Sequence, residues 1–216
     1  MIIKKDSSME AWKASLNHIM QNGQDYIDHN NRKTKEILNF VIDIENKDID
    51  IAKPIERVRK SLKWQYPPLI EIESNILSKK LPSAYSYSYG PRVFNHNNLN
   101  QIDDYIIPLL KKDPHSRRAI VMIWDPITDS SLYTVSAPGL VLIDFKLRDN
   151  KLHAACFVRS DDIFFGWPAN IYQIHILSKY IAKNIGCELG RLCTFASSAQ
   201  VFGDVFDNVQ EILDEK

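Results

Sequence analysis

The chain has no run of about 18 apolar residues, the length a helix needs to span a bilayer, so a helical membrane protein is not expected. It also lacks a charge of one sign, with 27 basic and 27 acidic residues. Broad electrostatic docking to nucleic acid or an anionic membrane is therefore not expected, and a charged ligand must be held by local groups. Cysteine is scarce. Cys156, Cys187 and Cys193 are odd in number and form no CxxC pair, which fits free thiols in a reducing compartment. With six scattered histidines, no metal site is expected. The opening residues MIIKKDSSMEAW lack the apolar segment of a signal peptide, so a cytoplasmic location is expected. Repeats, linkers and low-complexity tails are also missing, and residues 1–216 are expected to form a single domain.

What is present is periodic. Ser7 followed by Glu10 forms a capping-box pattern, and Ala11, Trp12, Leu16, Ile19 and Met20 recur at helical spacing before Gly23. Residues 36–44, EILNFVIDI, read as a strand. Residues 53–82 are broken by Pro67-Pro68, with a short helix expected over Leu69–Lys79. AYSYSYG (84–90) reads as an extended segment or a ligand-facing loop. Asn100–Lys112 is expected to be helical, kinked or split at Pro108. RRAIVMIW (117–124) reads as a strand that Asp125-Pro126 ends. LVLIDFKL (140–147) and KLHAACFV (151–158) form a hairpin, with Val141, Ile143, Phe145 and Leu147 expected on its dry face. Ile171, Ile174, Leu177, Ile181 and Ile185 make one helical stripe, stopped by Gly186. A strand over 191–202 and a final helix capped by Asp204 follow. The fold class is α/β (α+β) with a mixed or largely antiparallel sheet.

Two polar constellations stand at strand ends. Arg117-Arg118 opens one strand and Arg159-Ser160 closes another. Guanidinium groups suit an oxyanion, and a serine hydroxyl adds a donor. The alternative is solvated arginines, or pairing with Asp113 or Asp161. Asp162 and Asn170 flank GWP. Asparagine can read the amide edge of a pyrimidine, although residue type alone favours two caps, one of a turn and one of a helix.

SRRAIVMIWDP and APGLVLIDFKLRDNKLHAACFVRSDDIFFGWPANIYQIHIL resemble the thymidylate synthase family, which includes the pyrimidine nucleotide hydroxymethylases. The resemblance spans roughly 85–215, is strongest over 116–186, and is closest in kind to the compact, archaeal-like branch. It implies a layered domain whose twisted mixed sheet forms the interface of a homodimer with shared active sites. It implies a nucleoside monophosphate or related phosphorylated ligand, and 5,10-methylenetetrahydrofolate as cofactor. Arg159 and Ser160 would hold the phosphate within one subunit, while Arg117 and Arg118 would reach it from the other. Asn170 would read the base, Asp162 would lie near the pterin, and Gly166 would leave room for ligands. Tyr89 and a glutamate, placed at Glu71 or Glu73, would handle protons.

The departures from that pattern are specific. Gly139 stands where the family has its nucleophilic cysteine, Leu140 follows it, and Val158 precedes Arg159 where glutamine is expected. Gln200 and Phe202 replace the His-X-Tyr pair that holds the sugar. The basic residue of the N-terminal loop is displaced, with Asn30 near its place and Arg32, a candidate phosphate ligand, close by. Three expectations follow. The chain is a divergent methyl or hydroxymethyl transferase acting on an electron-rich ring that needs no thiolate, or a catalytically silent nucleotide-binding homologue, or a synthase whose thiol has moved to Cys156.

Overall fold

A computed structural model describes residues 1–47, 50–60, 66–81, 83, 87–133 and 136–215. Among them, helices accompany one eight-stranded mixed sheet. The N-terminal half gives β1 (Ile2–Lys5), α1 (Ser8–Asn22), β2 (Gln24–Ile27), β3 (Lys33–Glu45), α2 (Lys53–Lys60), α3 (Leu69–Leu77) and α4 (Tyr89–Phe94). A π-helical turn (Gln101–Ile106) runs into α5 (Ile107–Lys112), followed by β4 (Ile120–Met122) and α6 (Pro126–Asp129). The rest is β5 (Leu140–Arg148), β6 (Lys151–Val158), β7 (Asp161–Asp162), α7 (Gly166–Ile185), β8 (Glu188–Phe202), a 3₁₀ turn (Gly203–Val205) and α8 (Phe206–Asp214).

The main path of the sheet is β1-β3-β8-β6-β5-β4, with β2 on β3 and β7 on β8. The sheet is mixed because β1 runs parallel to β3 and β6 and β7 run parallel to β8, while β3 runs antiparallel to β2 and β8 and β5 antiparallel to β4 and β6. One face is dry: Phe40, Ile42, Ile44, Phe145, Leu192 and Ala196 are buried with Trp12 and Leu16 of α1 and Ile174 and Leu177 of α7. On the other face an apolar row crosses five strands in register: Met122, Leu142, Phe157, Phe195 and Val41. Phe157 and Phe195 stack at 5.2 Å there, and Met122 is 39% exposed.

Local chemistry accounts for the element ends. Ser7 accepts from the Glu10 N–H and caps α1. The β5–β6 turn holds Asp149 and Asn150 at φ of 50° and 58°, a left-handed pair that twists with the strands. Pro108 lies just inside α5, where the π-helical turn re-registers the backbone so that the missing N–H costs little. Gly186 ends α7 at φ +85° and donates to Ala182 O at 2.8 Å. Gly186→Ala is expected to cost about 1 kcal/mol, from the left-handed strain alone, because a Cβ there meets nothing within 4 Å. A shift of the urea midpoint with unchanged slope checks it.

Four local expectations need correction. The strand over 117–124 shrinks to Ile120–Met122, because Arg117 and Arg118 precede the ladder. Val141 leaves the dry face and Leu140 joins it, since a bulge between Leu140 and Leu142 resets the alternation. Asp204 lies inside the 3₁₀ turn instead of capping α8. In the AYSYSYG segment, Tyr89-Gly90 opens α4, and residues 84–86 lie outside the described residues.

Candidate active site

Two cavities meet at Ser136. The larger, about 590 Å³, is lined by Arg32, Trp124, Asp129, Ser136, Arg159, Ser160, Gln200 and Phe202, among others. The smaller, about 290 Å³, is lined by Asn75, Tyr87, Ser88, Tyr89, Ser136, Asn170 and Gln173. Residues distant in sequence are thus brought together by β8, which carries Gln200 and Phe202 beyond the end of β6 and pairs them with Glu36 and Thr34 of β3.

Arg159 follows the last residue of β6. Its Nε donates to Pro138 O and its Nη2 to Ala137 O, both at 2.9 Å, and its guanidinium lies 5.5 Å from the Trp124 ring centre. It does not pair with Asp161. Its backbone N–H donates to Gly139 O at 2.8 Å, which draws residues 137–139 against the end of β6. Arg32 comes from the β2–β3 turn. Asp28 organises that turn by accepting from the Asn30 and Arg32 N–H groups and from Arg32 Nε. The Arg32 guanidinium then lies 3.7 Å over the Phe202 ring. Phe202 therefore serves the cavity as a platform for a cation, a role sequence reasoning missed because β3 meets β8 only in the fold. Gln200 donates to Ser198 Oγ at 2.6 Å. Asp129, in the same wall, is neutralised by a two-pronged contact from Arg92 at 2.8 and 3.1 Å.

The smaller cavity is built around α4 and α7. Tyr89 donates to Asn170 Oδ1 at 3.1 Å, and Asn170 Nδ2 donates to Asp161 Oδ1 at 3.4 Å. Burial pushes the Tyr89 phenol well above its usual range, so it stays protonated. Asp162 is half-buried and caps the next turn, its Oδ1 accepting from the Phe164 and Phe165 N–H groups at 2.9 and 3.1 Å. Burial pushes its carboxyl up to about 6, while those two amides pull the other way. Asp161 is pushed further, up to about 8, by burial and then by the charge of Asp162. No sequence signal marked Asp161 as more than a partner for arginine.

Other candidates separate. Glu73 lines a third cavity with Leu77, Tyr172 and Lys179, because two residues along a helix turn it about 200° from Glu71. Glu71 is one turn before Asn75 and shares its face, and it lines neither of the two cavities. Arg117 and Arg118 are exposed and line neither site cavity of their own chain. The space beside Gly166 is taken by the chain's own acids, with a Cβ there falling 3.4 Å from Asp162 Cβ and 3.6 Å from Asp161 Oδ1. A Cβ at Gly139 would fall 3.0 Å from Ser160 O. Cys156 is 3% exposed, burial pushes its thiol up, and it lines neither of the two cavities. Among the described residues no cluster of His, Cys, Asp or Glu could hold a metal ion, and no helix is long and apolar enough to cross a membrane.

The sequence profile of the family described as thymidylate synthase matches residues 63–216. A protein of Methanosarcina barkeri described as "Putative thymidylate synthase" is 32% identical over 213 residues, 98% of this chain and 94% of that relative. The chain belongs to the thymidylate synthase family. It is a divergent member of this family of one-carbon transferases. A like-named protein of Methanocaldococcus jannaschii is 29% identical over 100% of this chain and 97% of its own. "Thymidylate synthase 1" of Bacillus spizizenii is 31% identical over 59% of this chain and 45% of its own. The thymidylate synthase profile begins after the first 62 residues, yet those residues supply Arg32 to the larger cavity.

Proposed function

We propose that the protein transfers a methyl or hydroxymethyl group to a phosphorylated pyrimidine-like or other electron-rich ring, without a cysteine nucleophile. The supporting observation is the junction at Ser136 of two unlike cavities, one that Arg32 and Arg159 both line and one built on the Tyr89–Asn170 pair. In this reading Arg159, Ser160 and Arg32 hold the phosphate, Gln200 and Phe202 border the sugar, and Asn170 reads the ring. Arg117 and Arg118 of a second copy complete the phosphate site. The partly exposed apolar row from Met122 to Val41 supports a homodimer on that sheet face.

Methylenetetrahydrofolate fits as carbon donor. Asp162 commits one oxygen to its own turn, which leaves the other to accept from an amino-pterin, next to the Tyr66–Phe165 stack. The cofactor supplies a one-carbon unit at the oxidation level of formaldehyde. An amino group on the ring already feeds electrons to the neighbouring ring carbon, which then needs no thiolate addition to become nucleophilic. Joining one carbon there would form a carbon–carbon bond, break the carbon's bond to the cofactor nitrogen and leave a ring proton to remove; water adding to that carbon would give the hydroxymethyl product, and a hydride from tetrahydrofolate, oxidised to dihydrofolate, would give the methyl product. Tyr89, kept protonated by burial, holds Asn170 through its O–H, and Glu71 with water takes the proton.

Purified protein with methylenetetrahydrofolate and a panel of nucleoside monophosphates should yield a product heavier by one methyl or hydroxymethyl group, read by mass spectrometry. Gly139 offers no attacking group, and this favours a second reading, a catalytically silent nucleotide-binding homologue. Nucleotide binding with no product across the panel would decide for that homologue. Binding of neither nucleotides nor folates would remove both readings.

A further inference from the structure

The larger cavity carries acids as well as arginines: Arg32 and Arg159 line it, and so do Asp28 and Asp129. A phosphate site must be net positive, and these four side chains alone cancel. Arg32 is already paired, its Nε lying 3.0 Å from Asp28 Oδ2. Arg159 spends two donors on backbone carbonyls, which leave its charge uncompensated. The balance therefore turns on Asp129.

Asp129 is 7% exposed, and both its oxygens are engaged. Its Oδ1 accepts from Arg92 Nη2 at 2.8 Å and from the Thr128 hydroxyl at 3.3 Å. Its Oδ2 accepts from Arg92 Nη1 at 3.1 Å and from the Asp125 N–H at 2.8 Å. Arg92 belongs to α4, where Gln101 Nε2 donates to its carbonyl at 2.8 Å, and it lines neither cavity. Asp125, the other acid beside it, is farther away at 4.0 Å and is not in the cavity wall. Burial pushes the Tyr87 phenol up, Arg159 opposes that rise and Asp129 adds to it, so both charges act where the two cavities meet.

We propose that Arg92 is a positioning residue for anion binding: from behind the wall it occupies the Asp129 carboxylate, leaves Arg159 unopposed and gives the larger cavity its net positive charge. The inference rests on the reading that this cavity holds a phosphate. Without Arg92, Asp129 would offset Arg159 charge for charge, and an incoming phosphate would meet a neutral wall. The planar guanidinium covers both carboxylate oxygens at once, so the acid is neutralised without reaching into the ligand space. Arg92 thus acts on the ligand only through Asp129.

The test is calorimetric titration of the intact protein with UMP at two salt concentrations. Arg92→Gln should bind UMP roughly tenfold more weakly and with a shallower salt dependence. Asp129→Asn, which removes the acid and keeps its shape, should bind about threefold or more tighter, because Arg92 then adds its full charge. The double variant, Arg92→Gln with Asp129→Asn, should return to within about threefold of the unaltered protein, a rescue that a merely structural role for Arg92 would not give. Unchanged affinity in Arg92→Gln overturns the inference, and so does a loss that the double variant fails to rescue. If Arg92→Gln does not fold, Asp129→Asn decides alone, and affinity that is unchanged or weaker there overturns it. Failure of the unaltered protein to bind UMP removes the phosphate reading itself, and the inference falls with it.

Discussion

Replacing Arg159 with alanine is expected to weaken nucleoside monophosphate binding by roughly 100-fold, with little loss of fold stability. Two of its five donors hold the carbonyls of Pro138 and Ala137, and the residue lines the larger cavity. A hydrogen bond to a charged group contributes about 1.5–3 kcal/mol, and a phosphate facing Arg159 stands to lose at least one. The variant also releases the Ala137 and Pro138 carbonyls beside Ser136, which lines both cavities, while the backbone bond from residue 159 to Gly139 O stays. Arg159→Lys keeps the charge but cannot bridge two carbonyls and reach an anion together, so it should fall between, at about tenfold. Calorimetric titration at two salt concentrations checks both variants, since the alanine variant should also lose part of the salt dependence. A change below about threefold for Arg159→Ala would remove this residue from the phosphate site.

Trp12→Ala should be the most damaging single substitution for stability. Trp12 is fully buried, its indole N–H donates to Ile163 O at 2.6 Å, and its ring meets Phe164 at 5.9 Å. Emptying such a site costs about 3–5 kcal/mol, and the Ile163 carbonyl is left without its donor. For a chain of this size the melting temperature should drop by about 10 °C or more. Trp12→Phe refills most of the volume but not the hydrogen bond, so it should lose about 1–2 kcal/mol. Ile163 and Phe164 form the turn that Asp162 caps, so both variants should also weaken ligand binding at temperatures where they remain folded. Thermal unfolding followed by circular dichroism decides, and a loss under about 1 kcal/mol for Trp12→Ala would show that α1 does not brace the site.

These two residues mark how far the sequence can be read. The β5–β6 hairpin was legible because period-two alternation and a polar turn are both local signals, and the α7 stripe because its spacing is helical. Arg159, Ser160 and Asn170 were legible through motif order, and the fold brings them to adjoining cavities. The bulge at Leu140–Leu142 was hidden, since a slip in alternation has no residue type of its own. The Arg32–Phe202 stack was hidden because it depends on which strands pair. The burial of Asp161 was hidden for the opposite reason: in a run of two acids, nothing in the letters says which one faces inward.

The tight fit at Gly139 has a consequence for substitution. Any side chain there would press its first carbon against the Ser160 carbonyl, 3.0 Å away, at the very segment that Arg159 fastens down. Filling this position therefore asks the Ser160 segment to give way by a few tenths of an ångström, so the sheet end and the cavity wall shift together.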